Sequence, residues 1–155
     1  LNTRILRLSL VAGYASPPVP EPQLPPKRLH LEAEHPGDLV QFDCFHIGRL
    51  TGTKGRVWQY TAIDVASSYV WAEVHRDDGA NPAVQYTSAL ARRVADELAR
   101  AGWKLDAVLT DNGQEFRSQI FGNAVRHAGA KQRFIRAGRP QTNGCVERIQ
   151  RTILE

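Results

Sequence analysis

Apolar and polar positions along the chain change rhythm at Gly37. From there, D-L-V-Q-F-D-C-F-H-I (38–47), V-W-Q-Y-T-A-I-D-V (57–65) and Y-V-W-A-E-V-H (69–75) are rich in β-branched and aromatic residues. Such segments fit a pleated surface, so they predict three strands. Gly52, Lys54 and Gly55 mark one turn and Ala66–Ser68 the next. Short turns between successive strands imply an antiparallel meander.

The period then lengthens. Asn81 and Pro82 suit a helix cap and first helical position, and Val84, Ala91, Val94, Ala95 and Leu98 fit one helical face. Gly102 stops that helix. Leu105–Thr110 predicts a fourth strand ending at Asp111, Ser118–His127 a short helix closed by Gly129, and Gln132–Ile135 a fifth strand. Asn143 opens a last helix running to Glu155. The order β-β-β-α-β-α-β-α predicts an α/β fold with a mixed sheet and helices packed on it.

The first 36 residues read differently. Thr3–Val11 has apolar residues at near-helical spacing, and 16–36 holds seven of the nine prolines. Proline fixes φ and gives up a donor, so this stretch predicts an extended linker. The expected division is therefore 1–36, then a folded core over 37–155.

Size and composition narrow the function classes. A chain of 155 residues suits one domain with a core. Apolar runs are too short to span a bilayer, and two cysteines make no disulfide framework. The expectation is a cytoplasmic protein without a membrane partner. Net charge is +4, but its distribution says more: from Arg117 to Arg151 there are eight Lys/Arg and only Glu147. An acidic half followed by a basic stretch points to a polyanion held near carboxylates, although a solvated basic surface has the same composition.

Three carboxylates could meet. Asp43 interrupts the first strand, where Asp is depleted, and by alternation shares a face with Gln41 and Phe45 while Val40, Phe42 and Cys44 face the core. Asp111 ends the fourth strand, and Glu147 follows after thirty-five intervening residues, one turn into the last helix. Hard oxygen donors from two strands and a helix suit Mg²⁺. Asp-Asn-Gly is equally a turn signature, and Glu147 could be a first-turn acid on the helix dipole. Asp64 is expected to be structural, Asp106 solvated, and Glu115 to frame the turn after Asp111. The five histidines lack metal-ligand spacing, so no zinc site is expected.

Phe42-Asp43, T-D-N-G-Q-E-F (110–116) and P-Q-T-N-G-C-V-E-R (140–148) together resemble the catalytic core shared by retroviral integrases and bacterial insertion-sequence (DDE) transposases. The match covers about 37–155. The resemblance implies a ribonuclease H-like fold with helices on both faces of the sheet. It implies that Asp43, Asp111 and Glu147 are catalytic and hold two Mg²⁺ ions (Mn²⁺ substituting), for strand cleavage and then attack of the freed 3′-OH on target DNA. It implies DNA partners, both element ends and target, a homo-oligomer bridging two ends, and a bacterial, nucleoid-associated setting. Residues 1–36 would be the tail of a DNA-binding region plus linker, and the core would continue past Glu155, so the fragment need not be active alone. Candidate DNA contacts are Arg151, one turn beyond Glu147, with Arg148 and Asn143. Two positions depart from the pattern: Val40 stands where Trp is frequent, and Cys145 where many relatives carry a phosphate-contacting Lys. A nuclease that cuts without joining and a non-catalytic DNA-binding fragment are the alternative readings.

Overall fold

The structure, a computed structural model, describes residues 33–49, 51–52 and 54–135. Five strands are present: β1 (Val40–Arg49), β2 (Arg56–Asp64), β3 (Val70–Asp77), β4 (Ala107–Thr110) and β5 (Lys131–Phe134). Three helices accompany them: α1 (Val84–Arg100), α2 (Gln114–Arg117) and α3 (Gln119–His127). The strands lie in the order β3-β2-β1-β4-β5. β1, β2 and β3 form the expected antiparallel meander, while β4 runs parallel to β1 and β5 parallel to β4. This is the mixed α/β sheet of a ribonuclease H-like core.

Strand alternation divides the sheet into two unlike faces. Val40, Phe42, Tyr60, Ala62, Trp71 and Val108 point to one side and pack on the helices. α1 contributes Leu90, Ala91, Val94 and Leu98, a stripe at helical spacing, and α3 contributes Phe121, Ala124 and Val125. Phe121 is the hinge of this packing, meeting Phe42 and Phe116 edge-to-face at centroid distances of 5.8 and 5.1 Å. Each such fully buried side chain contributes about 1.5–3 kcal/mol. Arg93 fastens α1 to β3 from outside, reaching Glu73 and Glu97, while Trp71 Nε1 donates to Glu97 at 2.6 Å.

The other face carries Gln41, Asp43, Gln59, Thr61 and Ile63, with a small cluster of Leu39, Ala107 and Leu109 at its lower end. All three described helices pack on the first face. The last helix expected from the sequence lies outside the described residues, together with Asn143, Cys145, Glu147, Arg148 and Arg151. The division at residue 36 likewise falls almost wholly outside them on its N-terminal side.

Two local expectations need correction. Asn81 does not cap α1: the helix begins at Val84 after Ala83, which lacks a capping side chain. Tertiary contact replaces the cap, since the Ala83 N–H donates to Tyr60 Oη at 2.9 Å. The four-residue helix α2 was not expected, because it is too short to show a period. Elsewhere the punctuation holds. Gly102, at φ +82°, ends α1 in a turn where Trp103 N donates to the Leu98 carbonyl at 2.9 Å. Ser118 caps α3 through Phe121 N at 3.1 Å.

Candidate active site

Asp43 and Asp111 are brought together by the β1–β4 pairing. Val40 stands opposite Val108 and Gln41 opposite Leu109. Continued by two steps, this register would bring Asp43 level with Asp111 on the polar face. β4 ends at Thr110, whose carbonyl accepts from Ile135 N at 2.8 Å, beyond the end of β5. Asn112 Nδ2 then donates to the Ile135 carbonyl at 3.0 Å, tying the following turn to the end of β5.

The turn is built from the motif's own residues. Asp111 Oδ1 accepts the Gly113 N–H at 2.9 Å. Asp43 Oδ1 accepts the Cys44 N–H at 2.9 Å. Asp111 is therefore both turn residue and exposed carboxylate, and the two readings of Asp-Asn-Gly do not exclude each other.

Glu115 is the residue whose placement the sequence did not disclose. Its side chain is nearly buried, 8% exposed, and folds back over Gly113. A Cβ on Gly113 would lie 2.7–2.8 Å from all three carboxyl atoms. Glycine lets the Glu115 carboxyl lie that close, and a Cβ would oblige this side-chain end to move. Glu115 does frame the turn, as expected, but from beneath it. Burial raises its carboxyl above the ordinary carboxylate range, and the Asp111 charge adds to the rise.

Cys44 reports how closely the acids gather. Burial pushes its thiol far above the usual range, and Glu115, Asp43 and Asp111 each push it in the same direction. Cys44 packs against the main core as its strand position predicts, and as a neutral thiol it is no nucleophile.

The rival acids separate cleanly from this site. Asp64 is fully buried at the opposite end of the sheet. Its Oδ1 accepts from Gly37 N at 2.8 Å, and its Oδ2 accepts from Ser67 N at 2.8 Å and from the Ser67 hydroxyl. Asp64 holds a turn, the structural part expected of it. Asp106 is half exposed, 3.6 Å from Lys104 Nζ, as expected of a solvated acid.

Among the described residues no group of three His, Cys, Asp or Glu side chains is placed to hold a metal ion. Asp43 and Asp111 nonetheless fit one as a donor set: two hard carboxylates at one level of one face. Two like charges on one face repel each other, a cost that a bound cation reverses.

An integrase core domain family model matches residues 33–140. The chain belongs to the integrase core domain family. Its fold is also similar to a chain in the cryo-EM structure of the simian T-cell lymphotropic virus intasome in complex with the PP2A regulatory subunit B56 gamma. The two share 22% identity at a TM-score of 0.62, over 85% of this chain and 43% of that one. This integrase core chain therefore spans less than half the length of that neighbour. Among its described residues no helix is long and apolar enough to cross a membrane.

Proposed function

We propose that this chain is the catalytic core of a DNA transposase or integrase, which cuts a DNA strand and joins its 3′ end to a target. The observation that carries the reading is the level placement of Asp43 and Asp111 on adjacent parallel strands, with the integrase core family match across them.

Asp43 and Asp111 would hold Mg²⁺ or Mn²⁺, with Glu147 arriving from the last helix as third ligand. When bound, the metal supplies Lewis-acid stabilisation of the charge that develops on phosphate oxygens during an in-line displacement. The protein's own contribution is positional. The Gly113 N–H and the Cys44 N–H each fix one carboxylate oxygen, so neither acid has to be ordered when substrate arrives. Asn112 pins the turn to Ile135, and Phe116, 1% exposed, anchors it in the core.

Cleavage and joining are both phosphodiester displacements at one centre, differing only in whether water or a 3′-OH attacks. No covalent enzyme intermediate is needed. Arg148, Arg151 and Asn143 would contact the DNA backbone beside Glu147, and a homo-oligomer would bridge two element ends. A joining assay with a pre-cut donor end and Mn²⁺ tests the proposal. Joined product supports it, whereas cutting without joining assigns the chain to the nucleases instead.

A further inference from the structure

The basic stretch that begins at Arg117 acquires a shape in the fold. Between α3 and the edge strand β5 runs a groove of about 470 Å³, lined on its walls by Arg117, Arg126 and Lys131 and at one end by Phe134. All three cations are exposed, no carboxylate lines the groove, and none of the three is in an ion pair among the described residues. Phe134 is 43% exposed, so its ring is open to solvent at that end of the groove.

The floor is prepared as well. Gln132 Nε2 donates to the Phe116 carbonyl at 2.7 Å, which fixes the floor between β5 and α2. Gly122 of α3 faces it, its Cβ position 3.7 Å from Gln132 Oε1. Register gives the groove a direction. Lys131 is level with Ala107, and Phe134 with Thr110, the residue before Asp111. Gln132 and Phe134 share the helix-bearing face with Val108 and Thr110, so the groove lies on the face opposite Asp43 and Asp111, and its cationic walls run for about 10 Å along the strand from the Phe134 end.

A narrow concave track with cations along it and one exposed ring at its mouth matches the chemistry of an unpaired strand: phosphates on the charges, a base on the ring. A duplex is too wide to enter such a groove and offers no free base face. We propose that the groove between α3 and β5 holds a single-stranded stretch of DNA, with Arg117, Arg126 and Lys131 on its phosphates and Phe134 stacked on a base. The proposal rests on the reading of the chain as a DNA-processing enzyme, and it assigns an unpaired strand held on the helix-bearing face of the sheet, away from the candidate acids.

The test is fluorescence anisotropy of the 155-residue chain with a short oligothymidine and with a duplex of equal length, across a salt series. The triple variant Arg117→Gln, Arg126→Gln, Lys131→Gln should bind oligothymidine at least tenfold more weakly at about 0.1 M salt. Its log–log salt slope should flatten by about 2, since each phosphate contact on a single strand contributes about 0.7. Phe134→Ala should weaken oligothymidine binding at least fivefold and leave the duplex unchanged. Arg117→Lys with Arg126→Lys should keep the salt slope. Unaltered affinity and slope in the triple variant would overturn the proposal, as would equal losses for both DNAs on Phe134→Ala. An Asp111→Asn chain that still joins DNA refutes the catalytic reading and leaves the groove result standing, so the two failures are distinguishable.

Discussion

Asp43 and Asp111 lie sixty-eight positions apart in the chain and side by side in the sheet, at the offset fixed by Val40 opposite Val108. Asp43 accepts the Cys44 N–H and Asp111 the Gly113 N–H, while the apolar contacts of β1 and β4 with the helices come from Val40, Phe42 and Val108 on the other face. Chemistry and stability are thus assigned to opposite sides of the same two strands.

Replacing either acid should separate the two roles. Asp43→Asn and Asp111→Asn should each lower strand cleavage and joining by at least a thousandfold, while DNA affinity stays within a few-fold. The melting temperature without metal should hold or rise, because one of two like charges on the same face is removed. Parallel joining, anisotropy and melting experiments check this; near-normal joining in either variant contradicts the assignment.

Glu115 gives a pH signature. Its folded-state carboxyl is raised by burial and by Asp111, so between the unfolded and folded values the native state binds more protons than the unfolded one. Stability attributable to this group is intact below the ordinary glutamate range and is lost as pH rises through the folded value. Glu115→Gln should therefore raise the metal-free melting temperature at pH 7, and the advantage should vanish as pH falls below about 4. A melting series from pH 3.5 to 8 reads it directly, and an advantage that grew on acidification would contradict the placement.

Gly113→Ala should damage the site without touching the metal ligands. The added Cβ would meet the Glu115 carboxyl at 2.7–2.8 Å, so either Glu115 leaves its pocket or the Asp111 turn shifts. A shift of about 1 Å at a ligand costs on the order of a hundredfold in rate. Adding Glu115→Ala to Gly113→Ala removes the collision and should recover part of that loss; a double variant no better than the single one counts against steric conflict as the cause.

How much of this was legible beforehand follows from where each determinant lies. The two faces of β1 were readable because alternation is a local property, and Phe42, Asp43 and Cys44 fall as the pattern requires. The parallel β1–β4 pairing is a long-range event that no local period encodes, so the approach of Asp43 to Asp111 came from motif resemblance alone. Asn81 looked like a cap because local chemistry allows it, but the hydroxyl of Tyr60 from β2 takes the N–H that decides where α1 begins. Glu115 was placed correctly at the turn, and its burial was invisible because only the fold turns its side chain back over Gly113. The basic run from Arg117 was read as charge, and β5 and α3 together give it walls.

Asp64 supplies a control outside the site. It is fully buried and accepts from Gly37 N, Ser67 N and the Ser67 hydroxyl. Asp64→Ala would strand those donors and should cost roughly 3 kcal/mol or more of stability in a denaturant titration. Activity per folded molecule should remain, the reverse of the Asp111→Asn pattern.

The central claim is that distant acids converge to hold divalent cations, and a Mn²⁺-soaked crystal with anomalous scattering measured at the Mn edge tests it most directly. The account predicts an anomalous peak bonded to carboxylate oxygens of both Asp43 and Asp111, with Glu147 completing the contact. A peak elsewhere, or Asp43 and Asp111 without metal at saturating Mn²⁺, would contradict it.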